Sequence, residues 1–226
     1  MSMRLRPRSL YQLLGSIVIL CYASQPLRAG QSDLAGWHDA PPETVRSILT
    51  LGRSAFEAYA LRRETIDPPA NLPHLLDRRA AVFVSAMIHG APRCCMGTLY
   101  PAEPDAAREI IASAVAAAGR DRRFAPVKPT EVQGLTLIVS VLSPPRPITE
   151  NEAKLLDPTL DGLAVRYGDR YGVVLSCETG RIDRMIAWAR VRSGAPAKGH
   201  VEYYRFRDVR FVEPARTGPQ KPGTRS

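Results

Sequence analysis

The sequence predicts an α+β fold: a single domain on a mixed β-sheet with hairpins and about three packed helices. Three observations carry this. Apolar residues recur at helical spacing in three separate stretches, and apolar or alternating runs of strand length fall between them. Two pairs of those runs are joined by short turn-forming segments, which makes them hairpins. The chain of 226 residues, 45% hydrophobic and 7% aromatic, is long enough for one sizeable core and shows no internal repeat.

The first helix is predicted from about Glu43 to Glu64, where Val45, Ile48, Leu49, Ala55, Phe56 and Tyr59 keep near the 3.6-residue period and Pro68-Pro69 lies beyond the end. AAVFVSAMI, Ala80 to Ile88, reads as a strand. His89-Gly90-Ala91-Pro92 is turn chemistry, and CCMGTL reads as the returning strand of a hairpin. Glu103-Pro104-Asp105 opens a second helix with proline in its first turn, and Gly119 closes it. GLTLIVSVL, Gly134 to Leu142, is too continuously apolar for a half-exposed strand and belongs in the middle of a sheet; SPPRPI breaks it. LAVRY and YGVVLS flank Gly168-Asp169-Arg170 as a second hairpin. A short third helix carries Ile182, Met185, Ile186 and Ala189 and stops at Gly194. From Val201, VEYYRFRDVRF is a final long strand whose alternation slips between Phe206 and Val209, which predicts a bulge or bend near Arg207-Asp208.

The ends differ from this middle. Residues 1–29 carry Arg4, Arg6 and Arg8, then an apolar run from Leu10 to Ala23, then Leu27-Arg28-Ala29, the order of a cleavable secretory signal. The alternative is a retained N-terminal membrane anchor, against which the run is shorter than the ~20 residues a bilayer needs. Export to a secreted or periplasmic location is the expectation. Residues 30–42 read as a linker, 43–213 as the domain and 214–226 as a disordered basic tail. Of the formal charge of +9, four positive charges lie in the signal and three in the tail (Arg216, Lys221, Arg225), which leaves +2 for residues 30–213. That balance lacks the footprint of a nucleic-acid binder. Three cysteines remain after cleavage, Cys94, Cys95 and Cys177, an odd number in an exported chain. No metal-ligand spacing occurs among His38, His74, His89 and His200, no cofactor motif is present, and no Ser-His-Asp order, P-loop or HExxH is found.

Four stretches together resemble a known family. Pro92-Arg93-Cys94-Cys95-Met96-Gly97 stands where the AMMECR-type domain family (AmmeMemoRadiSam system protein A) has a leucine-arginine-glycine-cysteine-isoleucine-glycine motif at a hairpin return. Asp121 to Val127 is similar to its DPRFPPV segment, Val139 to Pro145 to its VSVLTPP strand end, and Tyr204-Arg205-Phe206 to its YRF strand. The departures are Cys94 for the motif glycine, Pro92 for its leucine, Ile138 for an acidic residue, and Leu175-Ser176-Cys177 for a leucine-proline-glutamine stretch. The resemblance covers roughly Glu43 to Glu213. It implies no settled reaction, and it implies association with Memo-type and radical-SAM proteins, cytoplasmic partners that an exported copy would not meet.

Two functional classes follow: a module binding a small ligand or a protein in a cleft near Arg93, or a thiol-dependent enzyme using Cys95. Cys95 is either a buried small hydrophobe or a reactive thiol favoured by Arg93. Arg93 either braces an internal carboxylate or holds an anionic ligand, and Gly97 marks a bulge or a close approach of backbone or ligand. Arg123 joins the ligand-binding candidates, or pairs with Asp121 to brace the loop after the second helix. Cys94 and Cys177 are the two cysteines the resemblance does not expect. They are candidates for a disulfide, provided their strand ends are neighbours.

Overall fold

The computed structural model describes residues 34–214; the expected signal and basic tail lie outside the described residues, except Pro214. The fold is α+β. Its elements in chain order are α1 (Ala35–His38), α2 (Pro42–Arg62), β1 (Ala81–Ile88), β2 (Ala91–Gly97), α3 (Ala106–Gly119), β3 (Leu135–Leu142), β4 (Arg146–Ile148), α4 (Glu150–Ala153), β5 (Gly162–Tyr167), β6 (Arg170–Val174), α5 (Ile182–Ser193), β7 (Glu202–Phe206) and β8 (Asp208–Val212). Short 3-10 turns cover His74–Asp77 and Pro129–Gly134.

The strands divide into two four-stranded sheets, β2-β1-β3-β8 and β4-β7-β5-β6, in which every pairing is antiparallel. The apolar runs foretold the strands; one mixed sheet does not form, because the connections bring each strand back beside its partner in the opposite sense. Both hairpins close as expected. The first turns through His89 and Gly90, with φ of 50° and 78°, the left-handed pair that suits a two-residue hairpin. β3, the continuously apolar run, lies between β1 and β8 with both faces covered.

Period-2 alternation sorts each strand between two cores. On one face of the first sheet, Val82, Val84, Ala86, Leu137, Val139 and Val141 pack against Ile48, Phe56, Ile110 and Ala114 of α2 and α3. On the far face of the second sheet, Leu163, Val165 and Val174 pack against Met185 and Ala189 of α5. Between the sheets, Ala81, Phe83 and Leu142 of one meet Ala164, Leu175 and Phe206 of the other. The described residues are therefore layered helix, sheet, sheet, helix.

Four local expectations are corrected. Residues 34–42 are not simply linker: α1 folds, and Leu34 and Trp37 are buried, Trp37 meeting Phe211 edge-on at 6.5 Å. The second helix is capped by Asp105, whose carboxylate accepts the Arg108 N–H at 2.8 Å, so Pro104 precedes the helix. SPPRPI is not only a break, since Arg146–Ile148 pairs with β7. The final run is two strands: β7 ends in one sheet at Phe206, Arg207 crosses over, and β8 begins in the other at Asp208. At that crossing Ser143 N–H donates to the Arg207 carbonyl at 2.8 Å, and Arg207 N–H donates to Ser143 Oγ at 2.9 Å.

Candidate functional site

The hairpin return, β2, is an edge strand of the first sheet. Its alternation sends the paired cysteines to opposite faces. Cys94 enters the helix-facing core, 2% exposed, where burial pushes its thiol up to about 12. Cys95 faces the seam between the sheets, and Ser85 Oγ on the neighbouring strand donates to its Sγ at 3.0 Å. Burial, and then the nearby Glu178 carboxylate, push the Cys95 thiol up to about 11; the Ser85 hydroxyl and the Arg123 and Arg192 cations pull the other way and do not prevail. At neutral pH Cys95 is a protonated thiol, the opposite of an activated nucleophile.

Arg93 is occupied. Its Nε and Nη2 donate to the two oxygens of Glu131 at 2.7 and 3.0 Å, and its guanidinium lies 5.9 Å from the Phe124 ring centroid. The Arg93 fork holds the Glu131 carboxyl down to about 2. Of the two roles the sequence left open, the brace on an internal carboxylate is the one built here.

Asp121 and Arg123 guard the sheet edge. Asp121 Oδ2 accepts the Cys95 N–H at 2.8 Å, and Arg123 Nη2 donates to the Cys95 carbonyl at 2.9 Å. The two also pair with each other at 2.8 Å. Burial alone would push the Asp121 carboxyl up, but the Arg123 guanidinium and the Cys95 and Arg123 N–H groups hold it below the usual range. Two side chains of one loop thus replace the missing neighbour strand at Cys95. Gly97 serves packing: a Cβ there would lie 2.1 Å from the Val82 carbonyl oxygen and 2.6 Å from Phe83 Cα. Arg93, Gly97, Cys95 and Arg123 therefore belong to one neighbourhood, and three of the four are committed to holding it together.

Cys177 stands next to Glu178, but its thiol is engaged elsewhere. It is exposed, sits at φ 60° in the turn after β6, and its Sγ donates to the Thr159 carbonyl at 3.2 Å. All three described cysteines are free. The Cys94–Cys177 bridge does not form, because alternation points Cys94 into the helix-side core, whereas Cys177 follows a strand of the other sheet.

Sequence reasoning missed a set of polar residues on the seam face of β3 and β8: Ser140, Asp208 and Arg210. Alternation within those strands was the signal, since Ser140 stands between buried Val139 and Val141, and Arg210 between buried Val209 and Phe211. It also missed Glu109, which is 1% exposed on α3 and accepts the Thr98 hydroxyl and the N–H groups of Ala102 and Glu103, the latter two at 2.8 and 2.7 Å. Tyr100, Tyr171 and Tyr204 stack edge-to-face at 5.9 Å steps at another margin of the seam. An open hollow of about 350 Å³ near Thr149, Glu150, His200 and Glu202 lies away from the hairpin motif, and its Arg190 is taken up by Tyr203 and by the Pro196, Ala197 and Gly199 carbonyls.

Comparison with known proteins gives a consistent picture. A family model described as AMMECR1 matches residues 49–211. A protein of Thermotoga maritima is 36% identical over 160 residues, which is 69% of this chain and 91% of that one. A protein of Methanothermobacter thermautotrophicus is 35% identical over 136 residues, 58% of this chain and 69% of its own length. The crystal structure of the uncharacterized protein PH0010 from Pyrococcus horikoshii superposes with a TM-score of 0.70 at 28% identity, over 78% of this chain and 95% of that one.

Proposed function

The chain belongs to the AMMECR1 family of uncharacterised proteins, and from that premise we propose that it is an exported binding module. Its ligand, a small molecule or a segment of another protein, sits in the seam between the two sheets beside Cys95 and the Arg93-braced hairpin. The observation that carries this reading is the state of the motif's reactive groups. The Cys95 thiol is pushed up to about 11, and the Arg93 and Arg123 guanidinia are spent on Glu131 and Asp121. Such a site is rigid and neutral, suited to holding a partner by shape and hydrogen bonds and poorly suited to thiolate attack. Export rests on the charge, apolar run and cleavage pattern of residues 1–29. It removes Memo-type and radical-SAM proteins from the partners the module would meet, and the near-neutral charge of residues 30–213 removes nucleic acid.

Two experiments test the reading. N-terminal sequencing of the protein recovered outside the cytoplasm should begin near Gly30; an intact Met1 there would overturn cleavage, and with it the soluble location, in favour of the retained membrane anchor. Iodoacetamide at pH 8 should label native mature protein at Cys177 and leave Cys95 untouched, since a thiol near 11 is roughly 0.1% thiolate at that pH. Rapid labelling of Cys95, or a Cys95→Ala variant that loses a catalytic activity while keeping its melting temperature, would favour the thiol-dependent enzyme instead.

A further inference from the structure

Three buried polar atoms on the seam face of the first sheet have no hydrogen-bond partner: Ser140 Oγ, Asp208 Oδ2 and Arg210 Nε. Register makes them neighbours. Ser140 pairs across the strands with Arg210, and Leu142 with Asp208, so the three side chains share one face of two adjacent strands. Ser140 is fully buried at 0% exposure. Ser176, in the turn after β6, reaches this patch: its N–H donates to Asp208 Oδ1 and its carbonyl accepts from Arg210 Nη1, both at a long 3.3 Å. Each charged group thus spends one side on the turn and keeps another unspent. The turn holds Cys177 at φ 60°, a conformation that costs a residue with a Cβ.

Buried polar groups in folded proteins are nearly always paired, and three orphans side by side call for something from outside the chain. The missing partners have a definite chemistry. Asp208 Oδ2 lacks a donor, Arg210 Nε–H lacks an acceptor, and the Ser140 hydroxyl can serve as either. Asp208 and Arg210 carry opposite charges, so a carboxylate ligand would be repelled by one and an ammonium by the other. A primary carboxamide offers a carbonyl oxygen and an NH₂ on one planar carbon and carries no charge.

We propose that Ser140, Asp208 and Arg210 form a subsite that binds a neutral primary carboxamide beside Ser176 of the turn after β6. The proposal rests on the reading of the seam as the binding site and names the chemistry recognised at one end of it. Burial pushes the Asp208 carboxyl up, and the hydroxyl groups of Ser176 and Ser140 and the Arg210 charge pull it back without prevailing.

The test is a backbone-amide NMR titration of the mature chain with acetamide and propionamide, set against acetate and methylammonium. The amides should shift the signals of Ser140, Ser176, Asp208 and Arg210 and bind at least tenfold more tightly than either charged probe. Equal response to all four probes, or none at these residues, overturns the subsite. A ligand that moves Ser85 and Cys95 but not Ser140 and Arg210 overturns the subsite and leaves the seam reading standing; shifts at neither group overturn both. Ser140→Ala supplies a second readout. Removing an unpaired buried hydroxyl should leave the melting temperature unchanged or raise it, while weakening acetamide at least tenfold. A clear fall in melting temperature would identify a structural water site and sink the proposal. Arg210→Gln, which keeps a donor but not the charge, should retain acetamide binding within about threefold and relax the discrimination against methylammonium. Unrelaxed discrimination overturns the charge argument.

Discussion

Asp121 holds Cys95 by its backbone rather than by its thiol: the carboxylate accepts the Cys95 N–H at 2.8 Å from outside the sheet. With its side chain 3% exposed, Asp121 cannot hand that N–H to bulk water without moving. Asp121→Ala should therefore lose about 2 kcal/mol in urea unfolding, since it orphans both the Cys95 N–H and the Arg123 guanidinium. Asp121→Asn, which keeps an acceptor, should lose less. A loss in Asp121→Ala under about 0.5 kcal/mol would mean that the edge needs no such guard.

Acid should loosen the same loop. Glu131 titrates near 2 in the folded protein against an ordinary 4.5, and Asp121 is also held below its ordinary value. A depressed folded-state pKa adds stability above the unfolded pKa and loses it as pH falls through the folded one. The urea midpoint should accordingly drop as pH goes from about 4.5 toward 2. Glu131→Gln should start lower and show a shallower decline. Parallel curves for the two proteins would show that Arg93–Glu131 is not the coupled pair.

Gly97 admits no substitution. A methyl group there would collide with backbone atoms of β1, which cannot rotate aside as a side-chain end would. Gly97→Ala should destabilise by about 3 kcal/mol or unfold the first hairpin's edge, and circular dichroism melting would report it. Near-wild-type melting would require β2 to sit farther from β1 than it does.

Glu109 should be equally intolerant for a different reason. Its two oxygens serve three donors of the segment that follows β2. Glu109→Gln keeps the length but turns an NH₂ toward N–H or hydroxyl groups. A loss of about 2 kcal/mol is expected, with faster amide exchange at Ala102 and Glu103. Unchanged exchange at those two residues would rule out the carboxylate as what orders the loop.

The strands and long helices were legible because alternation and helical periodicity report burial directly. Even the slip near Arg207-Asp208 was visible in VEYYRFRDVRF. Its meaning was not, because a bulge and a change of sheet disturb the same pattern, and only the partners β5 and β3 decide between them. At the site, residue types were readable and their occupancy was not. Arg93 could have faced a ligand, and finding Glu131 opposite it depends on a loop path 38 residues away. The disulfide expectation failed on orientation: adjacency in sequence could not say which of Cys94 and Cys95 faced the seam. Ser140, Asp208 and Arg210 went unnoticed because one polar residue in an apolar strand reads as tolerated, and three become a site only when register aligns them.

The crossing at Arg207 has a mechanical consequence. The chain also passes between the sheets from β3 to β4, and Ser143 on that passage is hydrogen-bonded in both directions to Arg207. These two strands of connection lie together like the stitched spine of a book whose leaves are the two sheets. Leaves bound along one margin can part at the free margin but cannot slide past each other. A guest entering between them would do most of its prying at the fore-edge and least beside the stitching. Asp208, one residue from the spine, is then the part of the seam whose geometry survives opening, the natural place for a fixed point of recognition.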